Sequence, residues 1–212
     1  YYMALSTSIS GVFTPQINRI VARGEGDEQL TKLFTRVGRI QFMLLMLVLT
    51  GFVFVGMPFI CAWGGEEYGA AYYIALLLIG PVTVPLIQNI GIEIQRAKNM
   101  HQFRSKVYFC MAIGNALVSI PLGMRFGGIG CALGTAISMI VGNGFIMNWY
   151  YQTHIGLDMR YFWKHILSIV PAMLPAVALG MLAVRLHTFT GYAGVVAFAV
   201  PYAAVYAVGL YL

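Results

Sequence analysis

The chain has 212 residues, of which 59% are hydrophobic and only 9% are charged, with a formal net charge of +6. An ordinary soluble domain carries about 25% charged residues, so this composition excludes a water-soluble surface. Several apolar runs reach about 20 residues, which is the length needed to cross a hydrocarbon core of about 30 Å. The sequence therefore predicts an all-α, polytopic membrane protein.

Seven segments are predicted to cross the membrane, at residues 1–18, 40–62, 69–92, 107–124, 128–149, 166–184 and 191–212. With these boundaries, every lysine and arginine except Arg125 and Arg185 falls in alternate connections. The positive-inside rule places those connections in the cytoplasm. The net positive charge is thus interpreted as a topology signal, and we expect membrane lipids, and no nucleic acid, as partners.

The connection after the first predicted span carries the pattern of an amphipathic helix. Asp27 suits an N-cap position, Leu30 and Phe34 continue a helical apolar spacing, and Arg36 and Arg39 fall on the opposite face. We expect this helix to be separate from the next span and to lie on the inner leaflet with its basic face against lipid headgroups.

The third predicted span is interrupted by Pro81 and Pro85 and ends in the amides Gln88 and Asn89. Proline removes a backbone hydrogen bond from the turn before it, so we expect the helix to kink or open here. A membrane protein tolerates such a break where another helix or a polar cavity satisfies the freed carbonyls.

The fifth predicted span contains a ridge of small residues, which we call the glycine ridge: Gly130, Gly134, Ser138 and Gly142 recur every fourth residue. Small residues at this spacing let membrane helices approach closely. A short connection, MRFGG, joins this span to the preceding one, so the two spans are predicted to be antiparallel neighbours packed through the ridge.

Recognisable catalytic, cofactor and metal-binding motifs are not found in the sequence, and no cofactor is predicted. The acidic residue nearest to a span interior is Glu93, a weak candidate for binding a coupling ion; pairing with Arg96 at the interface is the favoured alternative. Uncharged polar residues within spans either bond between helices or line a cavity. Gln16, Gln88, Asn89 and Asn115 are the candidates for a cavity, which would suit sugar hydroxyls.

Four segments together resemble a known family: PQINRIVARGEGDEQLTKLF, GGEEYGAAY, MRFGGIGCALGTAIS and NWYYQTHIGLDMRYF. The chain is similar in these segments to polysaccharide and O-antigen flippases of the Wzx type. These belong to the MOP flippase superfamily, which also contains the MATE multidrug exporters and MurJ. No single motif is diagnostic; the resemblance rests on their order along the chain.

This resemblance implies a fold of two six-helix lobes that face each other. Residues 1–149 would form most of the second lobe, with its first helix missing, and residues 150–212 an interfacial segment and two additional helices. The chain starts at Tyr1 without an initiator methionine and stops within an apolar run, so we expect a fragment whose N-terminal lobe is its partner.

The implied activity is alternating-access transport of undecaprenyl-diphosphate-linked oligosaccharides across the bacterial inner membrane, without covalent chemistry. The anionic diphosphate implies basic residues in the cavity, and Arg19 and Arg23 are the candidates because guanidinium pairs well with phosphate. A role as ordinary positive-inside residues remains open for both. Two other functions remain open as well, a cation-coupled multidrug exporter of the MATE type and a membrane-embedded glycan polymerase or ligase.

Overall fold

The computed structural model describes residues 1–186 and 191–211. All regular secondary structure in these two ranges is helical. The α-helices are α1 (Tyr2–Arg23), α2 (Asp27–Gly64), α3 (Ala70–Ile87), α4 (Ile90–Ala97), α5 (Gln102–Met139), α6 (Met147–Tyr150), α7 (Met159–Leu167), α8 (Val170–Leu186) and α9 (Gly191–Tyr211). A 3₁₀ turn at Glu66–Tyr68 precedes α3, and π-helical turns at Ile140–Ile146 and Tyr151–Ile155 flank α6.

Five stretches of the described chain are long and apolar enough to cross a membrane: Asp27–Gly64, Glu66–Ala97, Gln102–Ile155, Met159–Leu186 and Gly191–Tyr211. The prediction of an all-helical membrane bundle is confirmed at this level, whereas the count of seven spans is not. The first predicted span forms α1, whose serines and threonines dilute its apolar character. The fourth and fifth predicted spans both lie within the single stretch Gln102–Ile155.

The chain divides into two compact units. The first consists of Tyr1–Leu45 and Leu77–Ile166, and the second of Met46–Leu76 and Leu167–Leu212. Because α2 and α3 each contribute one part to each unit, this division does not follow the boundary that the sequence predicts between residues 149 and 150. That predicted boundary concerns the lobes of a longer fold and stays a prediction.

In the first unit, the apolar face of α2 forms much of the core. Leu30, Phe34 and Val37 are buried as their spacing predicts. The expectation that this helix is separate from the next span is wrong, because α2 is one helix of 38 residues; its position on the inner leaflet stays a prediction. At 1.5 Å per residue it is about 57 Å long, so its amphipathic first turns extend well beyond a hydrocarbon core of about 30 Å.

A buried polar network holds α1 against α2 and α3. The Gln41 amide on α2 donates to Ser6 O at 3.0 Å and to Ser10 Oγ at 2.8 Å. Ser6 Oγ in turn donates to Leu86 O at 2.6 Å, close to the end of α3. The same carbonyl accepts a hydrogen bond from the Asn89 backbone N–H at 3.2 Å, so the Ser6 hydroxyl is its second partner.

The predicted interruption of the third span is present, but it lies beyond the prolines. α3 continues through Pro81 and Pro85 to Ile87, and the helical path resumes in α4 at Ile90. The break therefore falls at Gln88 and Asn89, just after the second proline. This places the two amides at a junction between helices, where backbone hydrogen bonds such as Gly91 N–H to Gln88 O at 2.8 Å span three residues.

The stretch α5 reverses direction at Gly127, whose φ of 60° and ψ of −139° are not helical. Glycine adopts such a conformation without steric cost because it has no Cβ. Beyond this turn, Gly130 and Gly134 lie against the backbone of Leu122 and Ser119, and Ser138 Oγ donates to Met111 O at 3.0 Å. The glycine ridge thus packs on the preceding arm of an antiparallel helical hairpin.

The end of the hairpin contains a widened helical turn that the sequence pattern does not predict. Asn148 supports this π-helical turn, since its Nδ2 donates to Asn143 O and to Gly144 O, both at 2.8 Å. A π-helical turn leaves backbone carbonyls imperfectly paired, and the Asn148 amide satisfies two of them.

The second unit has an aromatic core. The Phe54 ring centroid lies 6.0 Å from that of Phe198 and 5.9 Å from that of Tyr202. A Cβ at Gly180 would lie 2.6 Å from Phe54 Cδ2, so the absence of a side chain on α8 makes room for this ring. Within this unit, α8 and α9 pack directly on one another.

A lysine clasp connects three segments of the first unit at its predicted cytoplasmic end. Lys98 Nζ, at the end of α4, donates to Asp27 Oδ1 at 2.5 Å and to Ile155 O at 2.7 Å. Gly156 follows with a φ of 84°, and a Cβ there would overlap the Asp27 carboxylate. The Lys98 side chain is only 20% exposed, so this ion pair is screened less than one at an open surface.

Replacing Lys98 by Met is expected to lower the free energy of unfolding by about 1–2 kcal/mol, because a partly buried, charge-assisted hydrogen bond and the Ile155 carbonyl lose their donor. The measurement is thermal unfolding in detergent, monitored by fluorescence-detected size-exclusion chromatography. Lys106→Met is the matched control, since Lys106 is exposed and pairs with no acid in the described ranges. Equal shifts for the two variants would contradict the clasp.

Candidate functional site

The C-terminal half of α1 carries a polar face that borders an open cavity of about 490 Å³, which we call the α1 cavity. Gln16, Arg19 and Arg23 follow one another at spacings of three and four residues, so they share one face of the helix. Ile17, which does not line the cavity, is fully buried, and Ile20 is buried at the edge of the polar face. The cavity lining comprises Val12, Pro15, Gln16, Arg19, Ile20, Arg23, Glu25 and Gln29.

The two arginines of the α1 cavity differ in their electrostatic surroundings. The Arg23 guanidinium lies 3.6 Å from the Glu25 carboxylate, and its side chain is 65% exposed. The Arg19 side chain is exposed and makes no ion pair with an acid among residues 1–186 and 191–211. Arg19 is therefore the uncompensated positive charge of this cavity, and a phosphate there would gain charge-assisted hydrogen bonds from it.

Gln88 and Asn89 do not line the α1 cavity. Gln88 is 2% exposed, and its Nε2 donates to Asn148 Oδ1 at 3.0 Å. The same oxygen accepts a hydrogen bond from Trp163 Nε1 at 2.8 Å, so the Gln88 amide belongs to a buried network between helices. Asn89 is partly exposed at the start of α4, where its backbone N–H donates to Leu86 O.

Asn115 and Glu93 also lie outside the lining of the α1 cavity. Asn115 Oδ1 accepts hydrogen bonds from Ser119 Oγ at 2.6 Å and Thr135 Oγ1 at 3.3 Å, all within the helical hairpin. Glu93 Oε1 lies 2.9 Å from Arg96 Nη1, which is the interfacial pairing considered as the alternative to ion coupling. A role for either residue in transport stays a prediction.

A second group of basic side chains surrounds another cavity in the first unit, which we call the α2/α7 cavity. The sequence predicts that Arg36 and Arg39 lie against lipid headgroups, but it does not predict that Tyr161 and His165 complete a cavity with them. The signal that could have indicated it is the spacing of four residues between Tyr161 and His165, which puts both side chains on one face of α7.

Within the described ranges, no three His, Cys, Asp or Glu side chains converge in a way that could hold a metal ion. Comparison of the chain with protein-family models, with curated proteins and with solved structures gives no match. The geometry of the cavities and the sequence resemblance are therefore the features that bear on function.

Proposed function

We propose that this chain is part of a flippase that moves undecaprenyl-diphosphate-linked oligosaccharides from the inner to the outer leaflet of the bacterial inner membrane. The observation that carries the proposal is the convergence of Gln16, Arg19 and Arg23 on the α1 cavity. A guanidinium without a protein carboxylate partner favours an anionic group, and an amide beside it can bond to sugar hydroxyls.

The proposal includes the finer fold assignment. It assigns seven spans to the chain and places residues 1–149 in the second lobe of a two-lobed, MATE-like transporter. This arrangement would place the α1 cavity at the cytoplasmic mouth, where a lipid-linked substrate enters. The break between α3 and α4 and the π-helical turn at Ile140–Ile146 support a helix bundle that can bend, because interrupted helices are recurrent in transporters.

The direct test is deletion of the full-length gene. The lipid-linked repeat unit should then accumulate on the cytoplasmic leaflet, and a plasmid copy should restore the surface glycan. Leaflet distribution can be measured by adding an impermeant glycan-binding probe to intact cells and to inverted vesicles. Normal surface glycan in the deletion strain would refute the flippase assignment.

The same strain separates the alternative functions. A cation-coupled multidrug exporter predicts increased sensitivity to cationic dyes with an unchanged surface glycan. A glycan polymerase or ligase predicts that repeat units still reach the outer leaflet but are not extended or transferred. The resemblance and the α1 cavity both favour the flippase.

A further inference from the structure

The α2/α7 cavity lies where two amphipathic helices meet. Phe34 of α2 packs on Phe162 of α7, with ring centroids 4.7 Å apart. Gly38, one helical turn further along α2, has no side chain that would obstruct the Phe162 ring. The backbone N–H of Asp158, just before α7, donates to Thr31 Oγ1 at 3.2 Å. These contacts fix α7 beside the basic face of α2.

The resulting cavity has a volume of about 280 Å³. It is lined by Lys32, Thr35, Arg36, Arg39, Ile40, Met43, Tyr161 and His165. The α2 members recur at spacings of three and four residues, so they form one continuous strip of the helix. The strip changes from basic to apolar along its length, with Ile40 and Met43 at its apolar end.

Positive charge in this cavity is largely uncompensated. Lys32 Nζ pairs with Glu28 Oε1 at 2.6 Å. Neither Arg36 nor Arg39 makes an ion pair with an acid in the part of the chain that the structure describes. Two guanidinium groups at adjacent turns of one helix repel each other unless an anion lies between them.

Two buried polar atoms at the cavity wall have no hydrogen-bond partner among the described residues. Thr35 is 3% exposed and its hydroxyl is unpaired. Arg39 Nε is also buried and unpaired. An unpaired buried donor destabilises the protein, and a small rotation of either side chain toward an anion in the cavity would give that donor a partner.

The position of the cavity along α2 indicates the source of the anion. Arg36, Ile40 and Leu44 are exposed and follow one another at intervals of four residues, so an exposed apolar strip continues directly from the basic one. Tyr161 and the neighbouring Trp163 are residues typical of the headgroup layer. A free phosphate would use only the basic part, whereas a phospholipid would use both.

We propose that the α2/α7 cavity binds the phosphate of an anionic phospholipid from the cytoplasmic leaflet. Arg36 and Arg39 contact the phosphate, and one acyl chain lies along Ile40 and Leu44. This lipid site is distinct from the α1 cavity and does not rest on the proposed transport of oligosaccharides.

The test is native mass spectrometry of the intact purified protein titrated with phosphatidylglycerol or with phosphatidylcholine. The unmodified protein should bind phosphatidylglycerol at least fivefold more tightly. Arg36→Gln/Arg39→Gln should lose this preference. The matched control is Arg160→Gln/Lys164→Gln, which removes the same charge from exposed positions of α7 outside the cavity and should retain the preference.

Equal losses in the two double variants would overturn the proposal, because the preference would then reflect overall charge. Displacement of phosphatidylglycerol by equimolar inorganic phosphate would also overturn it in favour of a free-anion site. Thermal unfolding without lipid shows whether the variants are folded. If the double variant is not, the single variant Arg36→Gln, at an exposed position, should weaken phosphatidylglycerol binding at least twofold, and unchanged binding would refute the site.

Discussion

Replacing Gly134 by Leu is expected to prevent stable folding of the helical hairpin. A Cβ at this position would lie 2.8 Å from Ser119 Cα and 2.9 Å from Ser119 N. Because these are backbone atoms, they cannot move aside as a flexible side chain can. Overpacking a well-ordered core costs about 1–3 kcal/mol, and a collision with backbone should exceed about 3 kcal/mol. We expect Tm in detergent to fall by about 10 °C or more, with a large loss of monodisperse protein.

Gly114→Leu provides the matched control for this prediction. Gly114 lies in the preceding arm of the same hairpin, and no heavy atom lies within 4 Å of a Cβ built there. Both substitutions remove a glycine from a helix interior and gain the same helix propensity. Only Gly134→Leu should therefore destabilise the protein. Comparable melting curves for the two variants would show that close packing at the glycine ridge is unimportant.

The hairpin and the first turns of α2 could be predicted because their patterns are strictly local. Small residues every fourth position indicate close helix contact, and the short link before Gly128 requires antiparallel neighbours. Likewise, the spacing of Leu30, Phe34 and Val37 indicates which face of a helix is buried. The structure bears out both arrangements, including the reversal at Gly127.

The continuity of α2 could not be predicted, because hydropathy falls at its polar first turns although the backbone remains helical. The partners of the buried amides also depend on tertiary contacts. Gln88 donates to Asn148, which is 60 residues away in sequence and also accepts a hydrogen bond from Trp163. A polar residue in a span follows the same sequence pattern whether it lines a cavity or bonds to another helix. Spacing alone therefore cannot distinguish a cavity-lining role from a packing role.

Basic residues pose the same difficulty, since the positive-inside rule accounts equally for every arginine on one side of a membrane. The structure separates them by their surroundings. Arg23 lies near Glu25, Arg96 pairs with Glu93, and Arg19 makes no such pair with a described acid. This difference makes Arg19 the stronger candidate for contact with a phosphate, whereas the sequence alone does not distinguish these arginines.

Arg19→Gln is expected to reduce flipping more than Arg23→Gln. A guanidinium–phosphate contact contributes about 1.5–3 kcal/mol, and loss of about 1.4 kcal/mol is a tenfold effect. We therefore expect roughly tenfold slower restoration of the surface glycan for Arg19→Gln at equal expression in the deletion strain. The effect of Arg23→Gln should be smaller, because Glu25 already offsets part of its charge.

Arg160→Gln removes a positive charge from another exposed position on the predicted cytoplasmic side, and it should leave the rate unchanged. Arg19→Lys separates charge from geometry. A residue that only sets topology would be fully replaced by Lys, whereas a phosphate contact that uses the planar guanidinium would be only partly replaced. Full activity of Arg19→Gln, or an equal loss in Arg160→Gln, would remove the α1 cavity from the substrate path and leave Arg19 as a topology determinant.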